Sequence, residues 1–98
     1  MDHRGDKEYW QFIWDKFRNG DTQAFETIYT EFIDVLFAYG SKITNNKDLL
    51  EDAIQDVFIN IYTYGKKLRK PELLEFYLFK TLKRILIRKK KRIAVFKI

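Results

Sequence analysis

The sequence predicts an all-α protein, a compact bundle of about four helices. Apolar side chains recur at the three- and four-residue spacing of a helix along most of the 98 residues, and no segment alternates as a strand would. Glycine occurs at four positions and proline at one, so the chain has few places where a helix would break. This length is enough for one domain with a modest core.

The first two predicted helices are joined by a turn at residues 19–21. Four large apolar residues share one face of the first helix: Trp10, Ile13, Trp14 and Phe17. Asp21 is placed to cap the second helix, which is expected to stop at Gly40. The apolar stripe of this second helix comprises Phe25, Ile28, Tyr29, Phe32, Leu36 and Tyr39.

The third helix is predicted from about residue 47 to residue 64 or 67, with Asn45 or Asn46 as its cap. Pro71 suits the first turn of a fourth helix, which is predicted to run to about Lys91. A rotation of about 100° per residue places a core face on each. These faces are Leu50, Ala53, Ile54, Val57, Phe58 and Ile61 in the third helix, and Leu74, Leu78, Thr81, Leu82 and Ile85 in the fourth.

The charge of the chain is divided between two segments. Residues 1–64 hold six Lys/Arg against twelve Asp/Glu, a net charge of −6, and residues 65–98 hold thirteen against two, a net charge of +11. A segment this basic favours a polyanion, most often nucleic acid. The acidic segment indicates a second, different partner, so we expect opposite ends of one module to present opposite charge.

Several function classes are disfavoured by what the sequence lacks. It has no cysteine, and its one histidine is His3, so disulfides, thiolate metal sites and histidine-dependent catalysis are not expected. No glycine-rich phosphate loop is present. We therefore expect no enzyme activity, no metal and no cofactor. No stretch of about 18 apolar residues and no signal peptide is apparent, which favours the cytoplasm.

The outer face of the third helix combines acidic and apolar residues. Opposite its core lie Asp48, Glu51, Asp52, Gln55, Asp56, Ile59 and Tyr62. The charges alone are most simply a solvated acidic face. Ile59 and Tyr62 beside carboxylates instead favour a docking surface for a protein with a basic patch. The residues alone leave both interpretations open.

The fourth helix and the loop before it supply the candidate nucleic-acid contacts. They are Lys66, Lys67, Arg69, Lys70, Phe76, Tyr77, Lys80, Lys83, Arg84, Ile87, Arg88 and Lys91. Cations neutralise phosphates, and aromatic rings stack on unpaired bases at roughly 1–3 kcal/mol each, which favours a single strand. Alternatively, Phe76 and Tyr77 cap the core, and residues 88–92 are a solvated helix end stabilised by the helix dipole.

Three segments, in this order, resemble the region 2 domain of bacterial sigma factors of the extracytoplasmic function class, within the sigma-70 family. They are Phe17-Arg18-Asn19-Gly20-Asp21 with Ala24-Phe25 and Ile28-Tyr29, then Leu50-Glu51-Asp52-Ala53-Ile54-Gln55-Asp56-Val57-Phe58-Ile59, then Tyr77-Leu78-Phe79-Lys80-Thr81-Leu82-Lys83-Arg84. The resemblance covers residues 14–92. It implies that residues 1–92 form region 2 and that residues 93–98 begin a linker to a second DNA-binding domain, region 4.

The resemblance implies a transcription initiation factor without bond chemistry. In this family, the helix that matches residues 48–62 binds the clamp coiled coil of the largest β-type subunit of RNA polymerase. The loop and helix that match residues 66–91 recognise the promoter −10 element and hold its non-template strand, with a flipped base captured by the loop at residues 66–73. An anti-sigma factor, common in the family, would cover the polymerase-binding face. Matched positions are Glu51, Asp52, Gln55 and Asp56 for polymerase, and Lys80, Lys83, Arg84 and Arg88 for DNA.

Two departures from the family pattern concern DNA. Tyr77 stands where many members have tryptophan, and Arg84 and Arg88 stand where many have asparagine and aspartate. These residues should raise phosphate affinity and leave the base preference open.

Two other classes of protein are alternatives. One is a helical adaptor that binds acidic protein or an anionic membrane surface. The other is a helix-turn-helix repressor, disfavoured because the connection at residues 65–70 is longer than the roughly 3–4-residue turn of that motif.

Overall fold

The computed structural model describes residues 6–68 and 70–96, with side chains as far as Ile93. These residues form four α-helices: α1 (Lys7–Arg18), α2 (Thr22–Gly40), α3 (Lys47–Tyr64) and α4 (Leu74–Phe96). A short 3-10 helix, Gly65–Lys67, follows α3. The described part of the chain contains no strand, so the predicted all-α bundle is confirmed. His3 lies outside the described residues.

Each of the first three helices begins at a side-chain cap. Asp6 accepts a hydrogen bond from the backbone N–H of Tyr9 at 3.0 Å. Asp21 Oδ1 accepts from the N–H groups of Gln23 and Ala24 at 2.9 and 3.3 Å. The Asn46 side chain accepts from the N–H of Leu49 at 3.1 Å. These bonds satisfy amides that have no partner inside the helix. The caps predicted at Asp21 and at one of Asn45 and Asn46 are thus confirmed.

The helices surround one apolar core. α3 packs against α2 and α4, and α1 packs against the same two helices. Every residue predicted on the core faces of α1, α3 and α4 is buried, and Leu86 joins them. The predicted stripe of α2 is buried only in part. Ile28, Phe32 and Leu36 are fully buried, whereas Phe25 and Tyr39 are half-buried and Tyr29 is 45% exposed.

Two glycines allow helices to approach closely. A Cβ at Gly40 would overlap Leu50 Cδ1, so the end of α2 lies directly against the start of α3. A Cβ at Gly65 would lie 2.5 Å from Phe17 Cε2, so the end of α3 lies against α1. Gly20 differs, because its φ of 94° places it in the left-handed region that suits the turn between α1 and α2.

The bounds of α4 differ from the prediction at both ends. The first hydrogen bond of the helix runs from the N–H of Tyr77 to the carbonyl oxygen of Leu73 at 3.1 Å, so α4 starts at Leu74 and Pro71 lies before it. The helix continues to Phe96 rather than ending near Lys91. Neither glycine nor proline occurs after Pro71 to stop it. Among the described residues, none of the helices has an apolar stretch of the length that a membrane span needs.

Candidate functional site

We define the acidic surface as five residues on the side of α3 that faces away from the core: Asp48, Glu51, Asp52, Gln55 and Asp56. Asp56 is half-buried and the other four are exposed. None of them turns toward the core. The core-facing residues Leu50, Ala53 and Ile54 alternate with them along the helix, which fixes this orientation.

An apolar groove continues the acidic surface between α3 and α2. It has a volume of about 370 Å³ and is lined by Phe25, Tyr29, Gln55, Phe58, Ile59, Tyr62 and Thr63. Gln55 therefore belongs to both the groove and the acidic surface. Ile59 and Tyr62, which the sequence placed on this face, are 57% and 59% exposed.

Ring contacts from α2 form the other wall of the groove. The rings of Tyr29 and Phe58 are 4.8 Å apart, and those of Phe25 and Tyr62 are 5.2 Å apart. Sequence reasoning treated Phe25, Tyr29 and Phe58 as core and missed their part in this groove. The available signal was weak. Tyr29 lies at one edge of the α2 stripe, but only the packing of α2 on α3 decides which edge is exposed.

Lys89 of α4 reaches onto the acidic surface. Its Nζ lies 2.9 Å from Asp56 Oδ2 and 3.1 Å from Asp52 Oδ2, and its side chain is only 19% exposed. The hydrogen bond to Asp56, and after it the one to Asp52, raises the pKa of Lys89 above its usual 10.5. Its neighbour Lys90 donates to the carbonyl oxygen of Ile43 at 3.1 Å. The last turns of α4 are thus tied to α3 and to the loop before it.

These contacts correct the expectation that opposite charges lie at opposite ends. The acidic surface and the cations of α4 are adjacent and meet at Lys89. Sequence reasoning included Lys89 only in the run at residues 88–92 and gave it no partner. A helical wheel treats one helix at a time, so it cannot show which residue of α4 faces α3.

We define the basic surface as the seven exposed cations of α4 and of the 3-10 helix that the sequence predicted to contact nucleic acid: Lys66, Lys67, Lys80, Lys83, Arg84, Arg88 and Lys91. Within the part of the chain that the structure describes, none of the seven forms an ion pair. Two exposed apolar side chains accompany them on α4, Phe76 at 62% and Ile87 at 41%. The predicted surface between residues 80 and 91 is therefore accessible.

The remaining residues predicted to bind nucleic acid are placed differently. Lys70 Nζ lies 3.1 Å from Asp15 Oδ2 of α1. Tyr77 is half-buried, and its ring meets that of Trp14 edge-on at 6.3 Å. The core-capping alternative thus describes Tyr77 but not Phe76. Arg69 lies outside the described residues.

The described residues include no group of three or more histidine, cysteine, aspartate or glutamate side chains that could hold a metal ion.

Comparisons with protein-family models, with curated proteins and with solved structures found no match to this chain. The resemblance to sigma factors therefore rests on the three sequence segments quoted above.

Proposed function

We propose that this chain is the region 2 domain of a bacterial sigma factor of the extracytoplasmic function class. It would dock on the RNA polymerase clamp in the cytoplasm and hold the unwound −10 element of a promoter. The proposal is supported by the exposure of the matched residues of both sets on one small bundle, with Asp56 alone half-buried. Glu51, Asp52 and Gln55 face outward on α3, and Lys80, Lys83, Arg84 and Arg88 face outward on α4.

The acidic surface and its groove have the features of a protein-docking surface rather than those of a solvated acidic face alone. Carboxylates steer a basic partner and set its register. The exposed side chains of Ile59 and Tyr62, with Tyr29 across the groove, provide apolar area to bury. A basic helix with apolar anchors would satisfy both features, and this is the role that the family gives to the clamp coiled coil.

The basic surface suits a single strand of nucleic acid. Its seven cations can neutralise phosphates, and the exposed ring of Phe76 provides a stacking face near the start of α4. Strand separation would be driven by the free energy of binding captured bases and phosphates. No bond chemistry is involved.

An anionic membrane surface is the second candidate partner for α4. Phe76 and Ile87 are exposed among its cations, as expected of an interfacial helix. However, Leu78, Leu82 and Leu86 are fully buried in the bundle, so over the side chains that the structure describes, up to Ile93, the continuous apolar face of α4 is used by the core. Co-sedimentation with anionic vesicles, without binding to DNA, would favour this candidate.

Binding to a purified clamp coiled-coil fragment tests the proposal. The double variant Glu51→Lys with Gln55→Ala should weaken binding by about tenfold or more, because it reverses a charge and removes a contact at the centre of the surface. Both residues are exposed, and neither takes part in the Lys89 ion pairs, so the bundle should remain intact.

The matched control is Glu26→Lys with Gln23→Ala, which makes the same two changes at exposed positions on α2. It should bind the fragment as the wild type does. Equal affinities for the two double variants would mean that this face of α3 does not dock the clamp. Circular dichroism of each variant verifies that the helices have formed.

A further inference from the structure

Lys89 contributes the one cation that meets the acidic surface among the described residues. Its two acceptors, Asp52 and Asp56, are four residues apart and therefore lie on the same side of α3. Each uses its Oδ2 atom, at 3.1 and 2.9 Å from Lys89 Nζ. The ammonium thus occupies a position that a basic side chain of a partner would also seek.

This ion pair is better shielded than the others in the described structure. The Lys89 side chain is 19% exposed, whereas those of Lys7, Lys16 and Lys70 in their ion pairs are 47%, 48% and 35% exposed. Because most of this side chain is covered, holding the ammonium in place costs less conformational entropy than it would for a fully exposed lysine. Lys89 is therefore held at the acidic surface rather than sampling solvent freely.

The carboxylates nevertheless remain accessible from outside. The side chain of Asp52 is 65% exposed and that of Asp56 is 42% exposed. A second cation can approach them, but it meets a surface on which two of the four carboxylates already bind an ammonium. Binding of that cation must therefore displace Lys89 or share its acceptors.

We propose that Lys89 is a specificity-determining residue of the acidic surface, an internal cation that competes with a basic partner for Asp52 and Asp56. Weakly basic partners compete poorly with Lys89, so Lys89 raises the positive charge that a partner needs in order to bind. The inference rests on the proposed function only for the identity of that partner, because the competition itself concerns any cationic ligand.

A penta-arginine peptide is the probe that separates the two proposals. Its affinity is measured by titration of the full chain, following the backbone amide signals of residues 48–56 by NMR at about 0.15 M salt, where the Debye length is about 8 Å. Lys89→Met keeps most of the apolar stem and removes the charge. This variant should bind the peptide about three- to fivefold more tightly than the wild type, the range expected for one partly exposed charge pair.

Two matched variants control for other effects of the substitution. Lys89→Arg keeps the cation and should restore wild-type affinity. Arg18→Met removes one positive charge from an exposed position at the end of α1, and should leave the affinity within about 1.5-fold, since distant exposed charges are screened. Thermal unfolding of each variant verifies the fold.

The outcomes are distinguishable. Unchanged or weaker peptide binding by Lys89→Met, or no peptide binding at residues 48–56 by that variant, overturns the competitor role. If Lys89→Met binds the peptide more tightly but neither chain binds the clamp fragment, the inference stands and the proposed function fails. If both chains bind the clamp fragment equally and the peptide equally, the proposed function stands and the inference fails.

Discussion

At the scale of single residues, Gly65 shows how a position can be fixed by packing rather than by backbone conformation. Its φ of −57° and ψ of −33° are right-handed helical values that any residue can adopt. Glycine is needed because Phe17 of α1 lies where a Cβ would be, with Cε2 at 2.5 Å and Cζ at 2.9 Å. The sequence predicted a helix end near this glycine, but the contact with Phe17 depends on how α1 packs.

The substitution Gly65→Ala should therefore destabilise the protein. A methyl group forced into this contact must displace the Phe17 ring, which costs about 1–3 kcal/mol in the free energy of unfolding. Urea denaturation measures the change. Asn60→Ala, at an exposed position of α3, is the control and should leave stability unchanged or slightly higher. Equal stability of Gly65→Ala and wild type would mean that Phe17 does not occupy this space.

At the scale of helices, the outward and inward faces of α3 were predictable from the sequence. The residues of α2 and α4 that contact those faces were not. Helical periodicity alone separates Leu50 and Val57 from Glu51 and Gln55. The groove needs Tyr29 from α2, and the ion pairs need Lys89 from α4. Both depend on the relative rotation of two packed helices, which periodicity within one helix does not specify. For the same reason, periodicity did not predict that Tyr77 packs on Trp14 while the adjacent Phe76 is exposed.

The basic surface of α4 leads to a prediction about salt. If about five phosphates are neutralised, the affinity for single-stranded DNA should fall with salt at a log–log slope of roughly −3 to −4. Lys80→Gln with Lys83→Gln should make the slope shallower by about 1.4, since each lost phosphate contact contributes about 0.7 for a single strand. Fluorescence anisotropy with a labelled oligonucleotide across a salt series measures both slopes.

Lys42→Gln is the control for this series, because Lys42 is exposed and lies outside the basic surface. Its slope should equal that of the wild type. A wild-type slope near zero would contradict a phosphate-binding role for α4. Comparison of −10-like and scrambled oligonucleotides at one salt concentration then measures whether bases are read.

At the scale of the whole molecule, the two charged surfaces belong to one core and meet along the contact of α3 with α4. The sequence predicted both surfaces and their signs from the division of charge at residue 64. It placed them at opposite ends because it could not show that the last turns of α4 lie beside the first turns of α3. Lys89 marks this junction, with Asp52 and Asp56 as its acceptors. The two adjacent surfaces can still bind two partners at once if one partner contacts the outward face of α3 and the other contacts the outward face of α4.

Sedimentation velocity of a three-component mixture tests this arrangement most directly. The components are the chain, a clamp coiled-coil fragment and a labelled single strand carrying a −10-like sequence. We predict one complex that contains all three. The variant Glu51→Lys with Gln55→Ala should lose only the binding of the clamp fragment. The variant Lys80→Gln with Lys83→Gln should weaken only the binding of the DNA. Displacement of the DNA by the clamp fragment would contradict the account, because it would mean that both partners compete for one surface.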